Sequence, residues 1–244
     1  PPMFNASNDF TFSSWVKTLS IADCGGCTNS IFNTDPHTIL GINVDPWWSD
    51  DDPMMTPLRR LVPARVNFLR RDFGAARRVL DLGCGGGYMI DALARENVSI
   101  IGVDLAHQAL VAARNRAQQQ QYEAILMRAS AMALPFSAGS FDGIVCTDVL
   151  VHVPDPMKVV AEIGRVLKPG GWLHFSSINR NWFAHLIMIT LGENWLRMIP
   201  KGTHDSGTFI RPHELSSMLA KANLTVRRSQ GLGPVGWSKG AFTF

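Results

Sequence analysis

Only four cysteines occur in 244 residues, and two of them, Cys84 and Cys146, fall inside stretches that read as regular α/β elements. That placement argues against a disulfide framework and points to a reducing compartment. The other two form Cys24-Gly-Gly-Cys27, a lone C-x-x-C pair with no histidine at finger spacing; a turn with free thiols is set against metal or redox use. No apolar run is long enough to span a bilayer, and the start shows neither a basic region followed by an apolar one nor an initiating Met. The expectation is a cytoplasmic or organelle-matrix protein, soluble or peripherally attached to a membrane. A large charge of one sign is missing as well. The net charge of +3 is scattered, which gives no electrostatic footprint for nucleic acid. The densest basic stretch, Arg59, Arg60, Arg65, Arg70 and Arg71, reads as a solvated helical face or as a surface for lipid or an anionic substrate. Internal repeats and long low-complexity tracts are absent, and the length suits one domain with a sizeable core.

What is present is organised around Arg78-Val-Leu-Asp-Leu-Gly-Cys-Gly-Gly-Gly-Tyr88. Val79 to Leu82 suit a buried parallel strand, and Gly83, Gly85 and Gly87 then make a turn where Cβ atoms would collide with a ligand. Tyr88 to Glu96 carries Ile90, Leu93 and Ala94 on one helical face, so the loop ends at a helix N-terminus with outward N–H groups. A dinucleotide site usually reads G-x-G-x-x-G with pyrophosphate on the helix. Here an acid, Asp81, stands on the strand before alternating glycines, which repels phosphate and suits an amine-bearing or cationic ligand. Val98-Ser-Ile-Ile-Gly-Val-Asp104 is a second apolar strand ending in a carboxylate, placed to accept ribose hydroxyls. Strand, acid, glycines, helix, strand and acid in that order resemble the class I S-adenosylmethionine (SAM)-dependent methyltransferases.

Along the chain, residues 1–55 read as an irregular extension or lid with one or two short helices. Within it, Trp47-Trp48 precedes an acidic run and either packs on the core or covers a ligand. Residues 56–244 form the remaining domain. Pro57 to Phe73 suggests two helices joined at Pro63, because proline removes a donor and clashes with the previous turn. Arg65, just beyond, is either a surface arginine or a fork for a ligand carboxylate. Ala106 to Gln120 reads as a helix and Ala124 to Arg128 as the third strand. Ala131 and Met132 then lie at the strand edge where an open α/β sheet puts its ligand; Met132 packs on a purine or is an ordinary core methionine. Gly143 to Thr147 is the fourth strand. Asp148 and His152 follow at a four-residue interval that places both on one helical face if the segment coils. His152 is the general-base candidate, histidine titrating near working pH, against a packing role. Met157 to Leu167 is an amphipathic helix stopped by Lys168-Pro-Gly-Gly171, and Trp172 to Ile178 is the fifth strand. The alternation predicts a doubly wound parallel sheet. Residues 179–202 break the rhythm with an apolar helical insertion whose surface belongs in a lid, an oligomer such as a homodimer, or a membrane interface. Lys201, Thr203, His204 and Asp205 at its end form a polar cluster suited to ordering substrate. Pro212 to Ala222 is a helix and Leu224 to Arg228 begins a late strand.

Several separated stretches resemble the ubiquinone-biosynthesis O-methyltransferase family, which methylates polyprenylated catechols. They are Trp47-Trp48, Pro63-Ala-Arg65, Val79 to Gly87, Asp148 to Pro154, Leu167-Lys-Pro-Gly-Gly171, Ser177-Ile-Asn-Arg180 and Pro200-Lys-Gly-Thr-His-Asp205. The resemblance implies a Rossmann-like α/β fold with a mostly parallel seven-stranded sheet and helices on both faces. It implies SAM contacts from Arg65, Gly83, Asp104 and Thr147 and lipid contact through 179–202; Trp47, Trp48, Asn179, Lys201 and His204 are the substrate candidates. The family's S-E-V-V-E-H-V segment, whose acids and histidine are implicated in holding a divalent metal, stands here as Thr147-Asp148-Val149-Leu150-Val151-His152-Val153. Val151 replaces one acid, so Asp148 and His152 are left as metal candidates and Mg²⁺ dependence is open. The expected reaction is transfer of the SAM methyl to a phenolic oxygen of a small aromatic acceptor. His152 takes the proton and Asp148 orients the ring or the substrate. The alternatives are an O- or C-methyltransferase for another small molecule, and a SAM-binding partner without turnover.

Overall fold

The computed structural model describes residues 47–49, 55–73, 76, 78–96, 98–195, 205–233, 236–238 and 241–243. Cys24, Cys27, Lys201 and His204 lie outside the described residues, as does nearly all of the expected N-terminal extension.

The chain enters through α1 (Met55–Phe73), a single 19-residue helix. The break expected at Pro63 does not occur. An internal proline costs about 3 kcal/mol, but Leu58, Leu61, Val66 and Leu69 all bury their side chains, each worth about 1.5–3 kcal/mol. Packing therefore overrides the local penalty. Next come β1 (Arg78–Leu82), α2 (Tyr88–Ala94), β2 (Ser99–Asp104), α3 (His107–Gln119), β3 (Ile125–Arg128) and β4 (Phe141–Thr147). α4 (Pro156–Val166) and β5 (Leu167–Ser176) complete the sheet.

All five strands are parallel, in the order β3-β2-β1-β4-β5. The central strands are apolar on both faces because both faces are covered: Val79, Leu80, Leu82, Ile144, Val145 and Cys146 are fully buried. The β4–β5 register shifts between Phe141, opposite Leu167, and Gly143, opposite Trp172, and the Trp172 ring would lie 2.3 Å from any Cβ at Gly143. The loop between β3 and β4 is fastened from α4. Arg165 donates to the carbonyls of Leu134 and Phe136 and to Glu162, while Glu162 accepts from Leu134 N.

The expected seven-stranded sheet is five strands among the described residues. β6 (Gly236–Ser238) and β7 (Ala241–Thr243) pair antiparallel with each other only. Leu224 to Arg228 joins no ladder. Side chains hold it instead: Leu224 and Val226 pack on the main core, and Arg228 pairs with Asp72, donates to Phe68 O and stacks on the Phe68 ring.

After β5, Asn181 Oδ1 accepts from Ala184 N at 2.7 Å and caps α5 (Trp182–His185). The helix then widens into π-type turns over Leu186–Trp195. Trp182 and Trp195 are 68% and 80% exposed, so this segment leaves large apolar surface uncovered by the described residues. Among those residues, no helix is long and apolar enough to cross a membrane. α6 (Pro212–Lys221) packs against α4.

Candidate active site

Strand order reverses between β1 and β4, and an open α/β sheet receives its ligand outside the C-terminal strand ends at that point. A small cleft lies there, lined by Trp47, Leu58, Arg65, Asp81, Gly83, Cys84, Gly85, Tyr88, Met89, Thr147 and Asp148. β1 delivers Asp81 and the loop after it; β4 delivers Thr147 and Asp148; α1 lays Arg65 across the opening between them. Gly83 takes φ +71°, and a Cβ there would come within 2.4 Å of Val149 Cγ2, so the turn admits no larger residue. Its N–H and that of Cys84 both donate to Val103 O on β2, which pins the loop. A Cβ at Gly86 would meet the Trp47 ring at 2.6 Å. The bare backbone there is what lets the tryptophan close down, and Trp48 Nε1 donates to Gly86 O alongside it.

The charges in this cleft are buried and unbalanced. Asp81 is 1% exposed, and neither of its oxygens has a hydrogen-bond partner. Burial pushes its carboxyl up to about 8, with Asp104 adding to the rise and Arg65 opposing it. Arg65, 7% exposed, donates from Nη2 to Asp148 Oδ2 at 2.5 Å, while its Nε is buried without a partner. Asp148 is 2% exposed and its other oxygen lies 3.3 Å from Ser176 Oγ. Among the lining residues Arg65 is the sole cation. An α-amino acid group matches this pattern, since its ammonium suits Asp81 and its carboxylate suits the guanidinium. Burial pushes the Cys84 thiol well up, with Asp104 and Asp81 adding to it, so this cysteine is a wall of the cleft rather than a nucleophile.

The residues singled out in the sequence divide into groups. Trp47, Arg65, Asp81, Gly83, Gly85, Thr147 and Asp148 meet at the cleft. Asp104 is buried just behind it. One of its oxygens accepts from Gly85 N at 2.9 Å and the other from Ala106 N at 2.8 Å, so it braces the glycine loop. Desolvation raises its carboxyl despite those bonds. Gly87 (φ +84°) starts α2 and packs against Ala113 rather than lining the cleft. Ala131 and Met132 pack on the main core cluster. Trp48 packs edge-on to Tyr88 and carries the Arg116 guanidinium 4.0 Å over its ring, with Arg116 in turn paired to Asp91. Asn179 is buried beyond β5. Leu58, Cys84, Tyr88, Met89 and Ser176 are not among the site residues read from the sequence; of these, Cys84, within the glycine loop, and Tyr88, directly after it, have positions that could flag them.

Asp148 and His152 do not share a helical face. The coil is one 3₁₀ turn, Leu150–His152, and Asp148 precedes it in the left-handed region at φ +60° with its carboxylate turned to Arg65. Aspartate is among the few residues that tolerate this conformation. His152 lies at the end of that turn, its N–H donating to Val149 O and both ring nitrogens shielded from solvent.

Among the described residues the donor set does not fit a divalent metal. Asp148 is engaged by Arg65 and Ser176, and Val151, where the resembling family has an acid, is buried in an apolar cluster with Trp47, Leu58, Ile178 and Phe209. Among the described residues no three His, Cys, Asp or Glu side chains gather as a metal site, and a hard cation wants several oxygen ligands. A SAM-type cofactor does fit, through the unpartnered Asp81, the glycine turn and Arg65.

Comparison with known proteins agrees with this fold. Residues 80–175 match the family described as a methyltransferase domain. A solved SAM-dependent methyltransferase from Methanosarcina mazei is 25% identical, with a TM-score of 0.53, covering 64% of this chain and 82% of that one. One from Aquifex aeolicus shares the fold at 17% identity and a TM-score of 0.55, over 76% and 91% of the two chains. The class is therefore a Rossmann-like SAM-dependent methyltransferase. The ubiquinone biosynthesis O-methyltransferase of Methylococcus capsulatus is 38% identical over 196 residues, 80% of this chain and 82% of the relative. That of Paracidovorax citrulli is 38% identical over 216 residues, 84% and 88% of the two chains. The chain belongs to the ubiquinone biosynthesis O-methyltransferase family.

Proposed function

We propose that this enzyme moves the methyl group of SAM to a phenolic oxygen of a quinone-type aromatic acceptor, and that its own side chains, without a metal, remove the acceptor's proton. The observation that carries this reading is the presence of an unpartnered, buried Asp81 and of Arg65 in one cleft at the switch point of the sheet. SAM, when bound, supplies an electrophilic methyl on a positively charged sulfur. The task left to the protein is to hold donor and acceptor in line and to take a proton. Asp81 accepts from the cofactor's ammonium, Arg65 faces its carboxylate, Asp104 stands behind the glycine turn for the ribose, and Thr147 closes the floor. Trp47 shields the cleft from water. His152, at the turn following β4, takes the phenolic proton, and Asp148 stands between cofactor and acceptor. The exposed Trp182, Leu186 and Trp195 suit the apolar tail of such an acceptor or the lipid that dissolves it. The same surface suits a second copy of the chain, and sizing with and without lipid vesicles separates the two.

The test is turnover of a short-chain polyprenyl catechol with SAM, with added Mg²⁺ and with chelator, following both products by mass. Methylated catechol formed equally in chelator supports the proposal. Activity that vanishes in chelator and returns with Mg²⁺ contradicts its metal-free part, and SAM binding without methylation of any phenol contradicts the acceptor.

A further inference from the structure

Arg65 has two claimants. Its Nη2 is held by Asp148 at 2.5 Å, in a pair buried from solvent on both sides. A guanidinium offers a carboxylate two bidentate faces, Nε with Nη2 and Nη1 with Nη2, each drawing on a different hydrogen of Nη2, so a second carboxylate on Arg65 sits on the same guanidinium as Asp148. The Nε, buried and unpartnered, marks the face left for a ligand. Two carboxylates sharing one guanidinium inside a desolvated cleft repel each other strongly. Asp148 also has somewhere else to go: its second oxygen already lies near Ser176 Oγ on β5, and its position after β4 is on the side of His152.

Resting on the cofactor reading above, we propose that Asp148 is the internal stand-in for the cofactor's carboxylate. Arg65 exchanges Asp148 for the cofactor, and Asp148 is thereby handed toward the acceptor beside His152. Asp148 is then a positioning residue that ties acceptor readiness to a loaded cofactor: it opposes SAM binding and supports the step that follows. An ordinary structural ion pair would do neither. The exchange also makes the cofactor's carboxylate a poor source of affinity in the native protein, because most of what it gains from Arg65 replaces what Asp148 gives up.

The experiment measures binding of SAM and of methylthioadenosine, which keeps the nucleoside and sulfur but has no amino-acid group, to the native protein, Asp148→Asn and Asp148→Ala. In both variants SAM binds about tenfold tighter, the scale of one lost competing charge, methylthioadenosine binds within about twofold of native, and kcat falls. Methylthioadenosine binding doubles as the check that each variant is folded. SAM affinity unchanged or weakened in a variant that still binds methylthioadenosine overturns the exchange while leaving the cofactor reading intact. On the native protein alone, decarboxylated SAM binds within about tenfold of SAM; a loss beyond about a hundredfold overturns the exchange without any variant. If neither SAM nor methylthioadenosine binds the native protein, the cofactor reading falls and the exchange falls with it.

Discussion

Replacing Asp81 with asparagine separates what the cleft costs the fold from what it gives the cofactor. The native carboxyl, 1% exposed and unpartnered, titrates near 8 in the folded protein against an ordinary value of 3.8. Between about pH 4 and 8 the folded state holds a proton that the unfolded state has released. Stability from this group is therefore greatest at low pH and falls as pH rises through that window, by about 1.4 kcal/mol per pH unit. Asp81→Asn removes that slope. The variant should gain on the native protein by about 3 kcal/mol from pH 5 to pH 7, read from urea unfolding at each pH. In the same variant SAM loses a charge-assisted hydrogen bond from its ammonium. That bond is worth about 1.5–3 kcal/mol, so binding should weaken by roughly 10- to 150-fold. Titrations of the native protein with SAM at pH 7 should release close to one proton, seen as a buffer-dependent enthalpy. Parallel stability curves for the two proteins, with unchanged SAM affinity, would refute the reasoning.

Other substitutions probe separate parts of the account. Gly83→Ala forces a side chain into φ +71° and onto Val149, and should cost at least about 2 kcal/mol in thermal or urea unfolding and abolish detectable SAM binding. His152→Gln should lower kcat by about 100-fold or more with SAM affinity unchanged; retained turnover would remove histidine from the proton transfer. Asn181→Ala strips the cap from α5 and should cost about 1 kcal/mol, with faster proteolysis or amide exchange confined to residues 182–195.

What could be read from the sequence was local. Asp81 and Gly83 to Gly87 declare themselves because strand, acid and turn are consecutive and each residue type answers a steric or electrostatic need. The alternation of strands and helices likewise pointed to the parallel arrangement from β1 to β5. The Arg65–Asp148 pair was out of reach, since its partners are 83 residues apart and meet only once α1 lies over the end of β4. Pro63 misled because its local penalty is real but smaller than the burial of the helix around it. Leu224 to Arg228 has the pattern of a strand, yet Arg228 is drawn to Asp72 and Phe68, and the segment runs past the sheet without pairing. Asp148 and His152 have helical spacing, but a left-handed residue and a single 3₁₀ turn take the place of the helix.

The measurement closest to the central claim uses SAM carrying a ¹³C methyl and a short-chain polyprenyl catechol, in chelator, with the product's carbon spectrum as the readout. The account predicts the labelled carbon on a ring oxygen, as an aryl methyl ether. Label on a ring carbon, or none on the acceptor while SAM remains bound to the protein, would contradict it.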